Sequence, residues 1–380
     1  MDEERRAFLD GEPESEFEPQ QGFKLSQFIK SFIITMLSLI LIVVGIGGFI
    51  FLRLSGGFAA RPEIPSINPP PISNVSPTPD TTEEPEEDES DFIGEIVLAA
   101  PERFTDENRK DNFFTFLVVG LNEGTNANTV MVASFDANIG EAHIISIPRD
   151  SMLNVTRNNR KLSSSYMVGA SGGRGREGGV ASVQREVMSI IGFVPDFHII
   201  IDYDAFFAII DVVGGIEIDV PFHMRYDDPL QNLHIDILPG LQVMDSRTAL
   251  HFARYRTGNA GFPTISDYRR IENQQKIIDA VIANILRPRN LLRTNEFIRV
   301  FDEGVYSNLT RANLMWFATK FSPRTFRDQI TFHTTPMLGT TGSPSYYERL
   351  DARGILELIN ETINPFTTPL LISDLNIVTE

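Results

Sequence analysis

The run Ser31–Leu52, SFIITMLSLILIVVGIGGFIFL, carries no charged residue over its whole length. At ~1.5 Å per residue, a helix of this length crosses a hydrocarbon core ~30 Å thick. The run is longer than the core of a secretory leader, and no small-residue cleavage site follows it cleanly. The expectation is a single transmembrane helix over residues 31–53, with a polar tail at 1–30 too rich in charge to fold by itself. Lys24 and Lys30 flank the span on one side and Arg53 and Arg61 on the other, so the positive charges do not orient it. The layout does: a short tail before and a large domain after describe a single-pass protein of the cell membrane with its C-terminal domain outside.

Residues 54–91 read as a linker. Prolines crowd its middle and the dense acidic run TTEEPEEDESD closes it. Proline stiffness and charge repulsion extend such a segment, so it is expected to hold the domain off the membrane surface. The folded domain is expected over 92–380. With a formal charge of -18 the chain lacks the basic surface of a nucleic-acid binder. It has no cysteine, which excludes disulfides, a thiol nucleophile and thiolate metal sites.

Within the domain, short apolar runs at Phe114–Gly120, Thr129–Phe135, Glu141–Ile147, Asp196–Asp202, Ile216–Val220 and Gln329–Thr334 predict strands. The DANIG between the second and third supplies a hairpin turn. Helical spacing predicts helices over Val180–Ile191, Tyr203–Val213, Ser246–Arg254 with Ser246 as N-cap, and Asp267–Ile285. Further helices are expected at Asn295–Phe301, Arg311–Phe321 and Tyr346–Ile359. Strands alternating with helices predict an α/β fold, a three-layer α/β/α domain with a mixed central sheet.

Several chemical motifs fail on context. Gly169–Gly173 matches GxSxG, but more Gly and Arg follow it where a nucleophile elbow needs a helix. None of the six histidines has metal-ligand spacing. What survives is a set of basic residues on separate segments. Arg149 follows the SIP strand end, and Lys161 opens the hydroxyl- and glycine-rich KLSSSYMVGASGG. Arg174 and Arg176 lie in a Gly-rich stretch that reads either as a solvated loop or as a cover over a ligand. Arg254, Arg256, Arg269 and Arg270 are packed into Ala249–Gln275. Guanidinium forks match phosphate or carboxylate oxygens two at a time. Two readings stand on spacing alone: solvated ion pairs with nearby Asp and Glu, or a grip on a phosphate or diphosphate.

Taken in order, these segments resemble the LytR-CpsA-Psr (LCP) family of membrane-anchored bacterial cell-envelope proteins. The resemblance covers Phe114 to about Leu286. It rests on FLVVG at Phe116–Gly120, IISIPRD at Ile144–Asp150, KLSSSYMVGASGG from Lys161, FFAIIDVVGGIEIDV from Phe206, LPGLQVMDSRTALHFARYR at Leu238–Arg256 and DYRRIENQQ at Asp267–Gln275. It implies an α/β/α domain with a deep apolar channel that holds a polyprenyl chain, the diphosphate at its mouth. The implied activity transfers a glycopolymer phosphate from a polyprenyl diphosphate carrier to a hydroxyl of peptidoglycan, usually with Mg2+. By position, Arg149, Arg254, Arg256, Arg270 and Gln274 match the family's diphosphate-binding set, and Lys161 and Arg269 add basic groups beside it. Forked donors there would neutralise charge on the leaving lipid phosphate. Asp267 is expected to orient an arginine or to accept the acceptor's proton. The first is favoured, because a carboxylate beside arginines is a weak base.

The chain departs from the family where the metal belongs. Aspartates are usual at two positions that here, aligned from Gly120, are Asn122 and Asn128 in GLNEGTNANT. Two neutral amides are poor substitutes for carboxylates at a hard cation. Glu123 lies next to the first position as a candidate to compensate, and Asn273 stands where members usually carry an arginine. Two functions follow: an LCP glycopolymer transferase with altered metal dependence, or an LCP-fold protein that binds polyprenyl phosphates or wall polymer without transfer. A transcriptional role fits poorly with an acidic domain outside the membrane.

Overall fold

A computed structural model describes residues 61–64, 104–122, 125–229, 233–285, 287, 290, 293–320, 329–342 and 346–378. The expected span at 31–53, the tail before it, most of the linker and Glu123 lie outside these residues. Among the described residues no helix is long and apolar enough to cross a membrane. Within the expected linker, Pro62 is buried and Ile64 packs against the domain core.

The described elements run β1 (Phe113–Asn122), β2 (Asn126–Asp136), β3 (Glu141–Ile147), α1 (Ser165–Ala170), α2 (Gly175–Ile191), β4 (Phe197–Ile201), α3 (Tyr203–Val212), β5 (Ile216–Val220), β6 (Met224–Asp228), β7 (Leu233–Ile237) and β8 (Gly240–Met244). They continue with α4 (Ser246–Arg254), α5 (Asp267–Ile285), α6 (Thr294–Gly304), β9 (Tyr306–Ser307), α7 (Arg311–Lys320), β10 (Ile330–Thr334), β11 (Met337–Thr340), β12 (Glu348–Leu350) and α8 (Ala352–Thr362). Six strands form a mixed sheet in the order β10-β3-β2-β1-β4-β9. The pairs β1/β2, β2/β3 and β4/β9 are antiparallel, whereas β1/β4 and β3/β10 are parallel. The result is a mixed α/β fold. The DANIG hairpin forms as its sequence predicts, with Gly140 at φ 77°.

Strand alternation sends residues to two different cores. Leu117, Val119 and Leu121 of β1 meet Val183, Val187 and Ile190 of α2 and Ile355 and Ile359 of α8. On the opposite face Phe114 and Phe116 meet Trp316 and Phe317 of α7, with Ile282 of α5 and Phe301 of α6 packed alongside. Helices therefore cover both faces of the sheet. A third apolar cluster joins β5–β8 to α3, α4 and α5 through Ile210, Ile218, Ile235, Phe252 and Ile277.

Three expectations need correcting. Asp245, not Ser246, caps α4, because its carboxylate reaches the free Thr248 N–H at 2.8 Å. The helix expected from Tyr346 begins only at Ala352. Glu348–Leu350 first pairs with β11, and Asp351 then caps α8. The Gly-rich stretch around Arg174 is exposed, as a solvated loop would be, but it opens directly into a helix. α2 starts at Gly175, and Gly169 of α1 lies so close to it that a Cβ there would sit 2.2 Å from the Gly178 carbonyl oxygen. The glycines let two helices touch.

The segment after α8 packs onto the first core. Ile363, Phe366, Leu370 and Ile377 are buried there, and Phe366 stacks on Phe104 with ring centroids 4.3 Å apart.

Candidate functional site

Side-chain size along β1 sets the position of a cavity. On the face toward α5 the strand reads Phe114, Phe116, Val118, Gly120, Asn122. The two phenylalanines pack edge-on against Phe317, with centroids 5.1 and 5.3 Å away, and seal that end. Beyond them the side chains shrink, and a cavity of about 500 Å³ opens above Val118 and Gly120. That lies within the ~300–1,000 Å³ typical of small-molecule sites. Its walls are apolar: Met131, Ile201, Phe206, Leu250 and Ile277 line it from the sheet, α3, α4 and α5.

The polar end of the cavity coincides with the C-terminal ends of β1 and β4 and the residues following β3, where open α/β sheets place ligands. Asn122, Asn128, Arg149, Arg254, Arg256, Arg270 and Gln274 all line it. The loop between α4 and α5 explains how arginines apart in sequence meet. The Tyr255 hydroxyl donates to the Pro263 carbonyl at 2.5 Å, and the Ile265 N–H donates to the Arg256 carbonyl at 2.7 Å. These bonds fold the Gly/Pro loop back, setting the end of α4 beside the start of α5.

The remaining three candidate residues lie off the lining. Asp267 is buried, its side chain 8% exposed, and accepts from Arg270 Nη2 at 2.7 Å while Arg256 Nε approaches at 3.9 Å. Lys161 Nζ pairs with Asp150 at 3.0 Å, and Asp150 lies 3.8 Å from Arg149 Nε. Arg269 is not brought to the site. Its side chain is 72% exposed and pairs with Glu272 on the surface. Gln274 reaches the cavity, whereas Gln275 turns to the sheet and donates to Ser146 Oγ and the His333 carbonyl.

The electrostatics record the crowding. Burial first, and then the neighbouring Arg149 and Arg256 charges, push the Arg270 guanidinium down to about 10, against the pull of Asp267 and Asp150. Arg149 Nε, Arg270 Nε and Asp267 Oδ1 are buried without a hydrogen-bond partner among the described residues. A buried donor left unbonded costs ~1–3 kcal/mol. An anion beside Arg149 and Arg270 would relieve both their repulsion and their two unmet donors; Asp267 Oδ1 is an acceptor and calls for a donor instead.

The donor set does not suit a hard divalent cation. Asn128 Oδ1 accepts from Arg149 Nη1 at 3.0 Å, and Asn122 Oδ1 accepts from the Asn126 N–H at 2.9 Å. Both amide oxygens are engaged, and one faces a guanidinium that would repel Mg2+. Among the described residues no group of three or more acidic or histidine side chains is placed to hold a metal.

One neighbour escaped sequence reasoning. Glu348, at the start of β12, feels the charges of Asp267, Asp150, Arg256 and Lys161. It lies outside the motif-bearing segments, and only its backbone pairing beside Ser151 brings it there.

Comparison with known proteins agrees with this architecture. The Bacillus subtilis polyisoprenyl-teichoic acid–peptidoglycan teichoic acid transferase TagU is 21% identical over 260 residues, covering 67% of this chain and 78% of that protein. The transferase of the same description, TagV, from the same organism is 24% identical over 188 residues; the match spans 48% of this chain and less than half, 45%, of TagV. The crystal structure of B. subtilis TagV superposes with a TM-score of 0.53 at 20% identity, over 66% of this chain and 95% of that one. The LytR_cpsA_psr family model matches residues 82–363, well over half of the sequence, and the chain belongs to the LytR-CpsA-Psr family.

Proposed function

We propose that the chain transfers a polyprenyl-diphosphate-linked glycopolymer to peptidoglycan, from a membrane-anchored position outside the cell membrane. The observation that carries this reading is the set of four arginines gathered at the polar end of an apolar cavity. A lipid diphosphate has that same division into greasy tail and doubly charged head. Arg149, Arg254, Arg256 and Arg270 would hold the diphosphate, and Gln274 would add a neutral donor. As the bond to the leaving lipid phosphate breaks, the guanidinium groups meet the charge that builds on it. The names of TagU and TagV, transferases of polyisoprenyl-linked teichoic acid, support the substrate class. The formal charge of -18 argues against nucleic acid as a partner.

Asn122 and Asn128 offer Mg2+ only engaged, neutral oxygens. The same observation favours a second reading, in which the protein binds polyprenyl phosphates or wall polymer without transfer. One assay separates the two. The full chain in detergent is mixed with a lipid-diphosphate-linked sugar and a peptidoglycan fragment, in Mg2+ or in EDTA. Release of lipid monophosphate that disappears in Arg254→Ala supports the transferase. Tight lipid binding with no release under any condition supports the binder.

A further inference from the structure

We propose that Glu348 is the proton acceptor for the incoming hydroxyl, an inference that rests on the transferase reading. Asp150, Asp267 and Glu348 lie beside Arg256 and Lys161, and the first two are already held by cations. Asp202, which lines the cavity, is engaged in capping α3 through the Ala205 N–H. Asp267 accepts from Arg270 at 2.7 Å, and Asp150 pairs with Lys161 at 3.0 Å. Glu348 has no hydrogen-bond or ion-pair partner for its carboxylate among the described residues. Its backbone is fixed: its N–H donates to the Asp150 carbonyl and its own carbonyl accepts from the Met152 N–H, each at 2.9 Å. The residue is thus pinned to the segment that carries Arg149. It does not line the cavity, and it is partly exposed.

The environment suits the role. Half-burial and the nearby Asp267 and Asp150 charges push the Glu348 carboxyl up, against the pull of Arg256 and Lys161. A raised carboxyl is a stronger base at neutral pH. In the step, the acceptor O–H bond breaks and its proton passes to Glu348. The acceptor oxygen bonds the transferred phosphorus, and the bond from that phosphorus to the bridging oxygen breaks. The electron pair leaves with the lipid monophosphate, held by the arginines. Asp267 then acts as a positioning residue for Arg270.

The test uses the full chain in detergent, with a polyprenyl-diphosphate-linked oligosaccharide as donor and a soluble peptidoglycan oligomer as acceptor. Glu348→Gln is expected to slow lipid monophosphate release by ~10²-fold or more. Donor affinity should stay unchanged, and the acidic limb of the pH–rate profile should vanish. Glu348→Asp should keep that limb, with a rate above that of the Gln variant. Wild-type turnover with an unaltered rate and limb in Glu348→Gln overturns the inference and leaves the transferase reading standing. Loss of donor binding in both variants overturns it too, by assigning Glu348 a structural role. A wild-type chain that binds donor but never releases lipid phosphate overturns the transferase reading, and this inference with it.

Discussion

Arg269 and Arg270 are neighbours in sequence with opposite fates. Arg270 points inward from the first turn of α5, its side chain 5% exposed, and Arg269 lies in solvent beside Glu272. Arg270→Ala would strand the buried Asp267 without its nearest partner, a loss on the order of 3 kcal/mol. Arg269→Ala removes an exposed pair and should change stability by no more than ~0.5 kcal/mol. Urea unfolding of the two variants checks the contrast, and only Arg270→Ala should lose lipid release. The sequence shows that arginines cluster here but not which of two adjacent ones turns inward. That depends on helical phase against the buried Ile271 and Ile277. Asn128 was singled out by the resemblance as a position where a carboxylate is expected, while its bond to Arg149 needed coordinates. Restoring Asn122→Asp and Asn128→Asp together is expected to give Mg2+-stimulated release, measured against the same protein in EDTA.

At the scale of elements, periodic apolar runs were the readable part. β3 and α5 have the bounds their spacing predicts: β3 is an apolar run that feeds the cores on both faces of the sheet, and α5 buries one face. The hairpin strands β6 and β7 were not expected, although β7 alternates buried and exposed residues as regularly as β5 does. Glycine was the misleading signal. In α1 and α2 it marks close contact: a Cβ at Gly169 would also lie 2.4 Å from Ser182 Cβ. Gly169→Ala should therefore cost ~1–3 kcal/mol, read as a lowered melting temperature. Gly172→Ala meets nothing within 4 Å but sits at φ 65°, so it should cost only ~1–2 kcal/mol. On β4, burial pushes His198 down to about 4 from 6.5. The unfolded chain takes up this proton near pH 6.5, and the fold resists until about pH 4. Stability should therefore fall through that window, by on the order of 3 kcal/mol from this residue. His198→Gln should flatten that part of the curve in unfolding titrations across pH.

At the scale of the whole molecule, the arrangement separates two tasks. The sheet face toward α2 and α8 is filled with apolar side chains and supplies stability. The face toward α5 is filled only at one end, where Phe114, Phe116 and Phe317 meet, and remains hollow at the other. The fold class followed from the alternation of strands and helices. The cavity did not, because it arises from five strands and three helices whose mutual placement no single stretch records. On the proposed function, the hollow takes a polyprenyl tail while the arginines take the headgroup. Val118→Phe extends the row of phenylalanines one step up β1 and fills the base of the cavity without touching the arginines. The direct measurement is the dissociation constant of the full chain for a polyprenyl diphosphate, in EDTA, before and after this substitution. The expected result is at least ~10-fold weaker binding, about 1.4 kcal/mol, in Val118→Phe. An affinity equal to that of the unaltered chain would contradict the account, since the tail would then lie somewhere else.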